Sequence, residues 1–283
     1  MLHLVVALEC EAEPLRRHFG LRATGRASTQ SSNSPFKLYE GEDLRLVVSG
    51  MGQALAAAAV AWLAGRHEGA PRSAWLNVGT AGHALRPVGE GVLAHKVCDA
   101  ATGECWYPGL VFAAPAARET LLTVARPERE YRHAAAYEME AAGFCRAAAR
   151  FAPWELIHCY KVISDNRHQP VHEVNADRVR AWMADNLPAI ERLVTTLQGL
   201  ARQLAAWEDD PPLLDWMSSR WRFSHTRRAR LHALLRRHAA LGRDSEALRA
   251  RLRYCRDAAA ALAQVEAAVD AAAGTTTQRR SES

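Results

Sequence analysis

Two acidic segments of this 283-residue chain have residue types and positions suited to acid–base chemistry. The first, Tyr137–Gly143, places Glu138 and Glu140 around a methionine at the start of an alanine-rich helical pattern. The second, Ile163–Asn166, follows an apolar run and carries Asp165. A carboxyl group that is partly removed from water has a raised pKa, so it can act as an acid near neutral pH. The two segments predict a catalytic site built from carboxylates.

A third carboxylate, Glu11, follows the first predicted strand. Breaking an N-glycosidic bond requires a proton donor for the leaving base, a carboxylate that activates water, and groups that hold the sugar as positive charge develops. Glu11, Glu140 and Asp165 match these requirements. The residues alone also allow simpler roles, because acidic side chains favour helix starts and Ser164-Asp165 can cap a helix.

The elements that must position these side chains belong to an α/β domain. Residues 1–200 alternate short apolar runs with alanine-rich helical patterns, which is typical of that class. We predict a three-layer α/β/α fold with a central mixed sheet and an α-helical C-terminal extension. The predicted strands are 2–8, 36–40, 44–49, 74–78, 90–98, 108–112, 120–124 and 156–163. The predicted helices are 10–19, 52–66, 114–119, 138–150, 174–186 and 188–207.

Two strand ends carry small residues. Gly50 lies in the turn Gly50–Gly52 before a predicted helix, and Thr80 lies in Asn77–Gly82 at the end of the next strand. Glycine lets the backbone approach a ligand above a helix N-terminus. Ligands of open α/β sheets bind beyond the carboxyl ends of the strands. Gly50 and Thr80 are therefore expected on the same face of the sheet as the three carboxylates.

Several segments, in the same order along the chain, resemble the methylthioadenosine/S-adenosylhomocysteine nucleosidase branch of the nucleoside phosphorylase superfamily. They are Ala7–Glu11, Ser49–Gly52, Asn77–Gly82 with Val88–Gly91, Glu138–Glu140 and Ile163–Asp165. The resemblance covers roughly residues 2–200. It implies a nucleoside phosphorylase-like fold and hydrolysis of the N-glycosidic bond of a purine nucleoside, with a 5′-modified adenosine as the expected substrate. It also implies a homodimer and no organic cofactor.

The resemblance assigns catalytic roles to two residues. Glu11 would orient and deprotonate the attacking water, and Asp165 would protonate the purine at N7. Ser164 would help to position Asp165.

The resemblance also assigns substrate-binding roles. Glu140 would bind the ribose hydroxyls, Met139 would pack on the sugar, and Thr80 would hold the nucleophile near the anomeric carbon. Gly50 belongs to the turn that contacts the substrate. From its residue type alone, Met139 fits core packing equally well.

Two departures from the family pattern leave alternatives open. The segment Leu121–Pro127 lacks the aromatic residue that stacks on the base, and Tyr131, Trp106 or Tyr107 can replace it. Asn77 stands where the phosphorylases have a phosphate-binding arginine, which favours water as the nucleophile.

Phosphate nevertheless has possible partners in Arg86, Arg126 and Lys161. A phosphate-dependent nucleoside phosphorylase on the same scaffold is therefore the first alternative.

The bulk composition narrows the class of protein. The six cysteines form no CxxC pair, which predicts reduced thiols. The spacings of His95, Cys98 and Cys105 and of His168 with His172 do not supply four ligands, so no metal is predicted. No export signal or run of about 20 apolar residues is present, and we expect a cytoplasmic protein.

The composition changes near residue 208. We predict a catalytic domain at 1–207, a linker at 208–212, a basic helical extension at 213–273 and a disordered tail at 274–283. Between Arg220 and Arg256 the chain has twelve arginines against Asp244 and Glu246. The extension can present a solvated arginine face, or it can bind a nucleic acid or a protein. The second alternative is a non-catalytic nucleoside-binding protein whose extension docks such a partner.

Overall fold

The computed structural model describes residues 1–24, 34–66, 73–208 and 210–270, without the side chains of residues 207 and 208. The chain divides into two compact units, Met1–Ala205 and Ala206–Ser283. The predicted tail at 274–283 lies outside the described residues, as do residues 271–273 of the predicted extension and Asp209 of the predicted linker. Within the described ranges, no helix has the length and apolar character needed to cross a membrane.

The described part of the first unit forms one mixed sheet. Its strands are β1 Leu2–Val6, β2 Arg22–Ala23, β3 Lys37–Glu40, β4 Leu44–Val48, β5 Ala74–His83, β6 Gly91–Asp99, β7 Cys105–Trp106, β8 Ala117–Thr123, β9 Ala136–Glu138 and β10 Ile157–Asp165. β5 is parallel to β1 and β10 and antiparallel to β9. β6 and β8 connect β10 back to β9, so β5, β10, β6, β8 and β9 form a closed circuit. β1, β4, β3 and β2 extend the sheet from β5 in that order.

Helices cover both faces of this sheet. They are α1 Glu9–His18, α2 Gln53–Gly65, α3 Ala141–Ala148, α4 Ala176–Asp185 and α5 Leu187–Glu208. Successive side chains of a strand point to opposite faces. Leu4 of β1 accordingly joins a core with Leu193 of α5, whereas Val5 joins a second core with Phe144 of α3. These two cores confirm the predicted three-layer fold with a mixed sheet.

Helices α2 and α3 approach each other closely at one glycine. A Cβ placed on Gly143 would lie 2.2 Å from the carbonyl oxygen of Gln53. Gln53 is the first residue of α2, and Gly143 lies in the first turn of α3. The contact therefore fixes the starts of these two helices relative to each other.

Two predicted elements are wrong. Residues 108–112 form no strand, and the predicted helix at 114–119 is occupied by the start of β8. β8 pairs in parallel with β6 and with β9. Pairing of residues 117–119 with β6 overrides the helical preference of the alanines in this segment.

The expectation of reduced thiols is wrong for one pair of cysteines. Cys98 and Cys105 form a disulfide, because antiparallel pairing of β6 with β7 places them directly opposite each other. Spacing along the chain does not reveal such a cross-strand pair. The other four cysteines are free.

The second unit is helical, as predicted for the extension. Its helices are α6 Leu214–Arg220, α7 His225–Ala240, α8 Ser245–Leu252 and α9 Ala258–Asp270. Leu231, Leu235, Leu248 and Val265 belong to a core made of residues from this unit. Asp244 caps α8 by accepting the backbone N–H groups of its first turn.

Candidate active site

A cavity of about 710 Å³, a volume that includes the solvent at its mouth, lies beyond the carboxyl ends of β1, β5, β9 and β10. Its place in the fold is that of a small-molecule site, because ligands of α/β sheets bind beyond the carboxyl ends of the strands. Six of the seven predicted site residues line it. These are Glu11, Thr80, Met139, Glu140, Ser164 and Asp165.

The Glu11 carboxylate is buried and held by four donors. Its Oε2 accepts the backbone N–H groups of Ala7 at 3.1 Å and Leu8 at 3.0 Å, at the start of α1. Its Oε1 accepts the backbone N–H of Thr80 at 3.0 Å and the Thr80 hydroxyl at 3.1 Å. Burial raises the pKa of Glu11, against the opposing effect of Lys161. A carboxylate with a raised pKa is a stronger proton acceptor, which suits a general base.

Two glycines of β5 make room for carboxylates on its neighbours. A Cβ on Gly79 would lie 3.1 Å from Glu11 Oε1 and 3.3 Å from Lys161 Nζ. A Cβ on Gly82 would lie 2.5 Å from Asp165 Oδ2. The small residues of Asn77–Gly82 thus allow the acidic groups to approach the central strand.

Lys161 is the buried cation among these acids. Its Nζ lies 3.1 Å from Glu138 Oε2 and 3.5 Å from Glu140 Oε2. Burial opposes the charge, but the carboxylates of Glu138, Glu140 and Glu11 outweigh it and raise the pKa of Lys161. The sequence carried a signal of this role, because a lysine inside an apolar strand requires buried counter-charges.

Glu138 and Glu140 have different partners. Glu138 Oε2 accepts the N–H groups of Glu140 at 2.9 Å and Ala141 at 2.7 Å, and its Oε1 accepts the Thr123 hydroxyl. Glu140 Oε1 accepts the N–H of Gly52 at 2.9 Å. Glu138 therefore fixes the start of α3, and it lines the cavity together with Glu140 and the half-buried Met139.

Each carboxylate oxygen of Asp165 accepts a hydrogen bond from a hydroxyl group. Ser164 Oγ lies 2.6 Å from Oδ1, and the Tyr131 hydroxyl donates to Oδ2. Ser164 and Asp165 are the last residues of β10, so the alternative that they cap a helix is wrong. Sequence reasoning missed the Tyr131 contact, because the two residues are 34 positions apart.

The turn at Gly50 supports the site from outside the cavity. Gly50 has a φ of 86°, which favours glycine, and its N–H donates to the Ala7 carbonyl at 3.1 Å. Its neighbour Met51 lines the cavity, but Gly50 does not. Gly52, which contacts Glu140, is the residue of this turn that touches the carboxylate cluster.

The three aromatic residues predicted as candidates for base stacking do not line the cavity. Trp106 packs against the Arg146 guanidinium, Tyr107 is 63% exposed, and Tyr131 points to Asp165. Of the described aromatic side chains, the cavity lining includes Tyr137.

The candidate phosphate ligands have other surroundings. Arg86 is paired with Glu119 and Glu90, and Arg126 is exposed. The Asn77 amide donates to the Val5 carbonyl at 3.0 Å. Lys161, as described above, is surrounded by carboxylates.

Comparison with known proteins identifies the fold. No protein-family model and no curated protein sequence matches the chain. Among solved structures, it is similar to apo 5′-methylthioadenosine nucleosidase of Arabidopsis thaliana, with 18% identity, a TM-score of 0.57, and coverage of 70% of this chain and 96% of that one. The chain has the nucleosidase fold.

Two further structures support this assignment. 5′-Methylthioadenosine/S-adenosylhomocysteine nucleosidase of Neisseria meningitidis, bound to methylthio-immucillin-A, is 20% identical with a TM-score of 0.55, over 69% of this chain and 98% of that one. Futalosine hydrolase of Helicobacter pylori is 11% identical with a TM-score of 0.56, over 69% and 97% of the two chains. At these identities the similarity establishes the fold, and any statement about chemistry must rest on the cavity itself.

Proposed function

We propose that the chain hydrolyses the N-glycosidic bond of a purine nucleoside. One observation carries this proposal: a single cavity brings together a buried, oriented carboxylate at Glu11 and a second one, Asp165, at the end of another strand. The first suits activation of water and the second suits protonation of a leaving base. Solved nucleosidase structures of the same fold are complexes with methylthio-immucillin-A or adenine.

The proposed reaction moves two protons. Asp165 donates a proton to N7 of the purine as the bond between the base and C1′ breaks, so the base leaves neutral. A water molecule beside Thr80 forms the new bond to C1′. Its proton passes to Glu11, directly or through the Thr80 hydroxyl that already donates to Oε1. Glu140 accepts hydrogen bonds from the ribose hydroxyls while Met139 packs on the sugar.

Water is the proposed nucleophile rather than phosphate. A phosphate-binding site needs a cation with donors directed at the anion. Arg86 is engaged by two carboxylates, and Lys161 faces three. The buried acids around Glu11 would also repel an anion.

An apolar group at the 5′ position of the nucleoside fits the remaining wall. Leu8, Met51, Val171 and Val174 line the cavity together with the carboxylate residues. Burial of an apolar substituent against them contributes about 25 cal/mol for each Å² removed from water. A 5′-modified adenosine is therefore the proposed substrate.

Product analysis tests the proposal. The full chain is incubated with adenosine and a panel of 5′-substituted adenosines, with and without inorganic phosphate. We expect adenine and the free sugar in equal amounts, with no requirement for phosphate. Formation of a sugar 1-phosphate would favour the phosphorylase alternative, and binding without release of adenine would favour a non-catalytic nucleoside-binding protein.

We also propose a homodimer in the cytoplasm, a catalytic domain at 1–207 and a linker at 208–212. The basic helices after residue 212 are proposed to bind a nucleic acid or a protein partner. Their arginines favour a polyanionic partner, because contacts between arginine and phosphate dominate the binding of proteins to nucleic acids. Retention on DNA or RNA that weakens with salt and disappears on removal of residues 213–283 would support the nucleic acid.

A further inference from the structure

Tyr131 is held in one orientation by three contacts. Its carbonyl oxygen accepts a hydrogen bond from Nη2 of Arg167 at 3.1 Å. Its ring packs edge-on against Tyr137, with 5.9 Å between the ring centroids. Its hydroxyl donates to Oδ2 of Asp165. The residue is 3% exposed and has a φ of 48°, a left-handed conformation that is uncommon for residues other than glycine.

The central strand is shaped to admit this contact. A Cβ on Gly82 would lie 2.9 Å from Cε1 of Tyr131 and 2.5 Å from Oδ2 of Asp165. Backbone conformations that cost energy persist where the surrounding structure imposes them, and they are concentrated at functional sites. The position of Tyr131 is thus imposed by Gly82, Tyr137 and Arg167 together.

The Tyr131 hydroxyl keeps its proton over the working pH range. Burial raises the pKa of Tyr131, and the hydrogen bond to Asp165 raises it further. The hydroxyl therefore retains the hydrogen that it donates to Oδ2 of Asp165.

We propose that Tyr131 is a positioning residue for the acid: its hydroxyl orients the Asp165 carboxyl at the cavity wall and stabilises the carboxylate that remains after proton donation. This inference rests on the proposed function. A hydrogen bond to an ionised acceptor is stronger than one to a neutral acceptor. The contact therefore strengthens as Asp165 releases its proton to the base.

Other charged and titratable groups surround Asp165. Arg167 follows it by two residues, and Glu128 lies near the Tyr131 hydroxyl. The cavity lining also includes Glu11, Tyr137, Glu138 and Glu140, and Lys161 is paired with the last two. A Tyr131→Phe substitution removes the hydroxyl and leaves this set in place.

The pH dependence of kcat/KM tests the proposal. With adenosine nucleosides as substrates, Tyr131→Phe should lower the plateau by about 10- to 100-fold, the range for one hydrogen bond to a charged group. It should also move the alkaline limb to higher pH, because loss of a donor to the carboxylate favours the protonated acid. A purely structural role would leave that limb in place, and a higher plateau would mean that Tyr131 blocks the acid. Either result would overturn the proposal.

Tyr160→Phe is the matched control. Tyr160 is also buried, and its hydroxyl donates to Asn186 Oδ1 at 2.7 Å, away from the cavity. We expect no movement of the alkaline limb in this variant. If Tyr131→Phe fails to fold, Arg167→Lys, which keeps the positive charge two residues from Asp165 but replaces the guanidinium that holds the Tyr131 carbonyl, should move the limb in the same direction.

A measurement without turnover separates this inference from the proposed function. The carboxyl ¹³C signal of Asp165, identified by its loss in Asp165→Asn, is followed against pH in protein labelled at aspartate. It should titrate at higher pH in Tyr131→Phe than in wild type, whether or not the chain releases adenine. Identical titrations in the two proteins would refute the role of Tyr131, even if hydrolysis is observed.

Discussion

At the scale of single residues, Glu11 combines a structural and a chemical task. It accepts two backbone N–H groups at the start of α1 and also faces the cavity beside Thr80. Glu9, two residues earlier, instead accepts the Tyr39 hydroxyl and the Lys37 amine outside the cavity. The two glutamates of one helical turn therefore form a natural comparison.

Glu11→Gln should lower kcat/KM for adenine release by about 10²–10⁴-fold, because the amide cannot accept the proton of water. The amide oxygen can still accept the N–H groups of Ala7 and Leu8, while the amide nitrogen loses the two contacts with Thr80, so the fold should be retained with reduced stability. Glu9→Gln should leave the rate within about twofold, as for a surface charge away from the reacting atoms. Steady-state kinetics on both variants check this, and equal losses would remove Glu11 from the chemistry.

Lys161→Met should affect both stability and pH dependence. Removing one partner of a buried ion cluster costs about 3–5 kcal/mol in the free energy of unfolding. Lys161 lowers the pKa of Glu11 against the effect of burial, so its loss should raise that pKa and move the acidic limb of kcat/KM to higher pH. Urea unfolding and a pH profile measure the two effects.

Lys37→Met provides the comparison for Lys161. Lys37 is 69% exposed and pairs with Glu9 at 3.2 Å, so its loss should change stability by less than about 1 kcal/mol. An unchanged acidic limb in Lys161→Met would contradict the electrostatic link to Glu11.

At the scale of secondary structure elements, the contact between α2 and α3 holds Gly52 against Glu140. Gly143→Ala should destabilise the protein by about 1–3 kcal/mol, because the added methyl meets the Gln53 carbonyl. Gly199→Ala, in α5, has open space around the added methyl and should stabilise by about 0.5–1 kcal/mol. Denaturant unfolding of both variants measures the difference, and a stable Gly143→Ala would show that the helices can separate without cost.

Strand β10 contains a buried histidine that should make stability depend on pH. Burial lowers the pKa of His158 from 6.5 to about 4. Between these values the unfolded chain binds a proton that the folded chain does not, so stability is present above pH 6.5 and is lost as the pH falls toward 4. From pH 7 to 5 this residue should cost about 2 kcal/mol.

His158→Gln isolates this contribution. The wild type and the variant share all other titrating groups. The difference between their changes in the free energy of unfolding from pH 7 to pH 5 therefore measures the contribution of His158. Urea unfolding at pH 7 and pH 5 should show the smaller loss in the variant. Equal losses would mean that His158 is already protonated in the folded protein.

The elements that sequence patterns predict best are those with a strong local signal. The apolar run at β10 and the alanine-rich pattern at α2 were predicted to within a few residues of their observed bounds. β8 was only half recognised, since its pairing with β6 and β9 is not encoded by local preference. Residue types and order predicted the carboxylates of the cavity. The contact of Tyr131 with Asp165 and the ion pairs of Lys161 depend on tertiary structure and could not be predicted.

At the scale of the whole molecule, each unit has its own apolar core. A chain ending at residue 208 should therefore keep its thermal stability and release adenine within about twofold of the full-length rate, as expected of an autonomous domain. Thermal unfolding and steady-state kinetics on the two chains check this. A large loss of activity would mean that the basic helices contribute to the site.

The closed circuit of β5, β10, β6, β8 and β9 also limits how copies of the chain can associate. Strands inside the circuit have partners on both sides. The strands that pair on one side are β2 and β7, and each is two residues long in the described part of the chain. Long unpaired edge strands are the usual templates for adding a strand from another molecule. A pair of subunits is therefore expected to meet through helices and loops, and not by continuing one sheet across the interface.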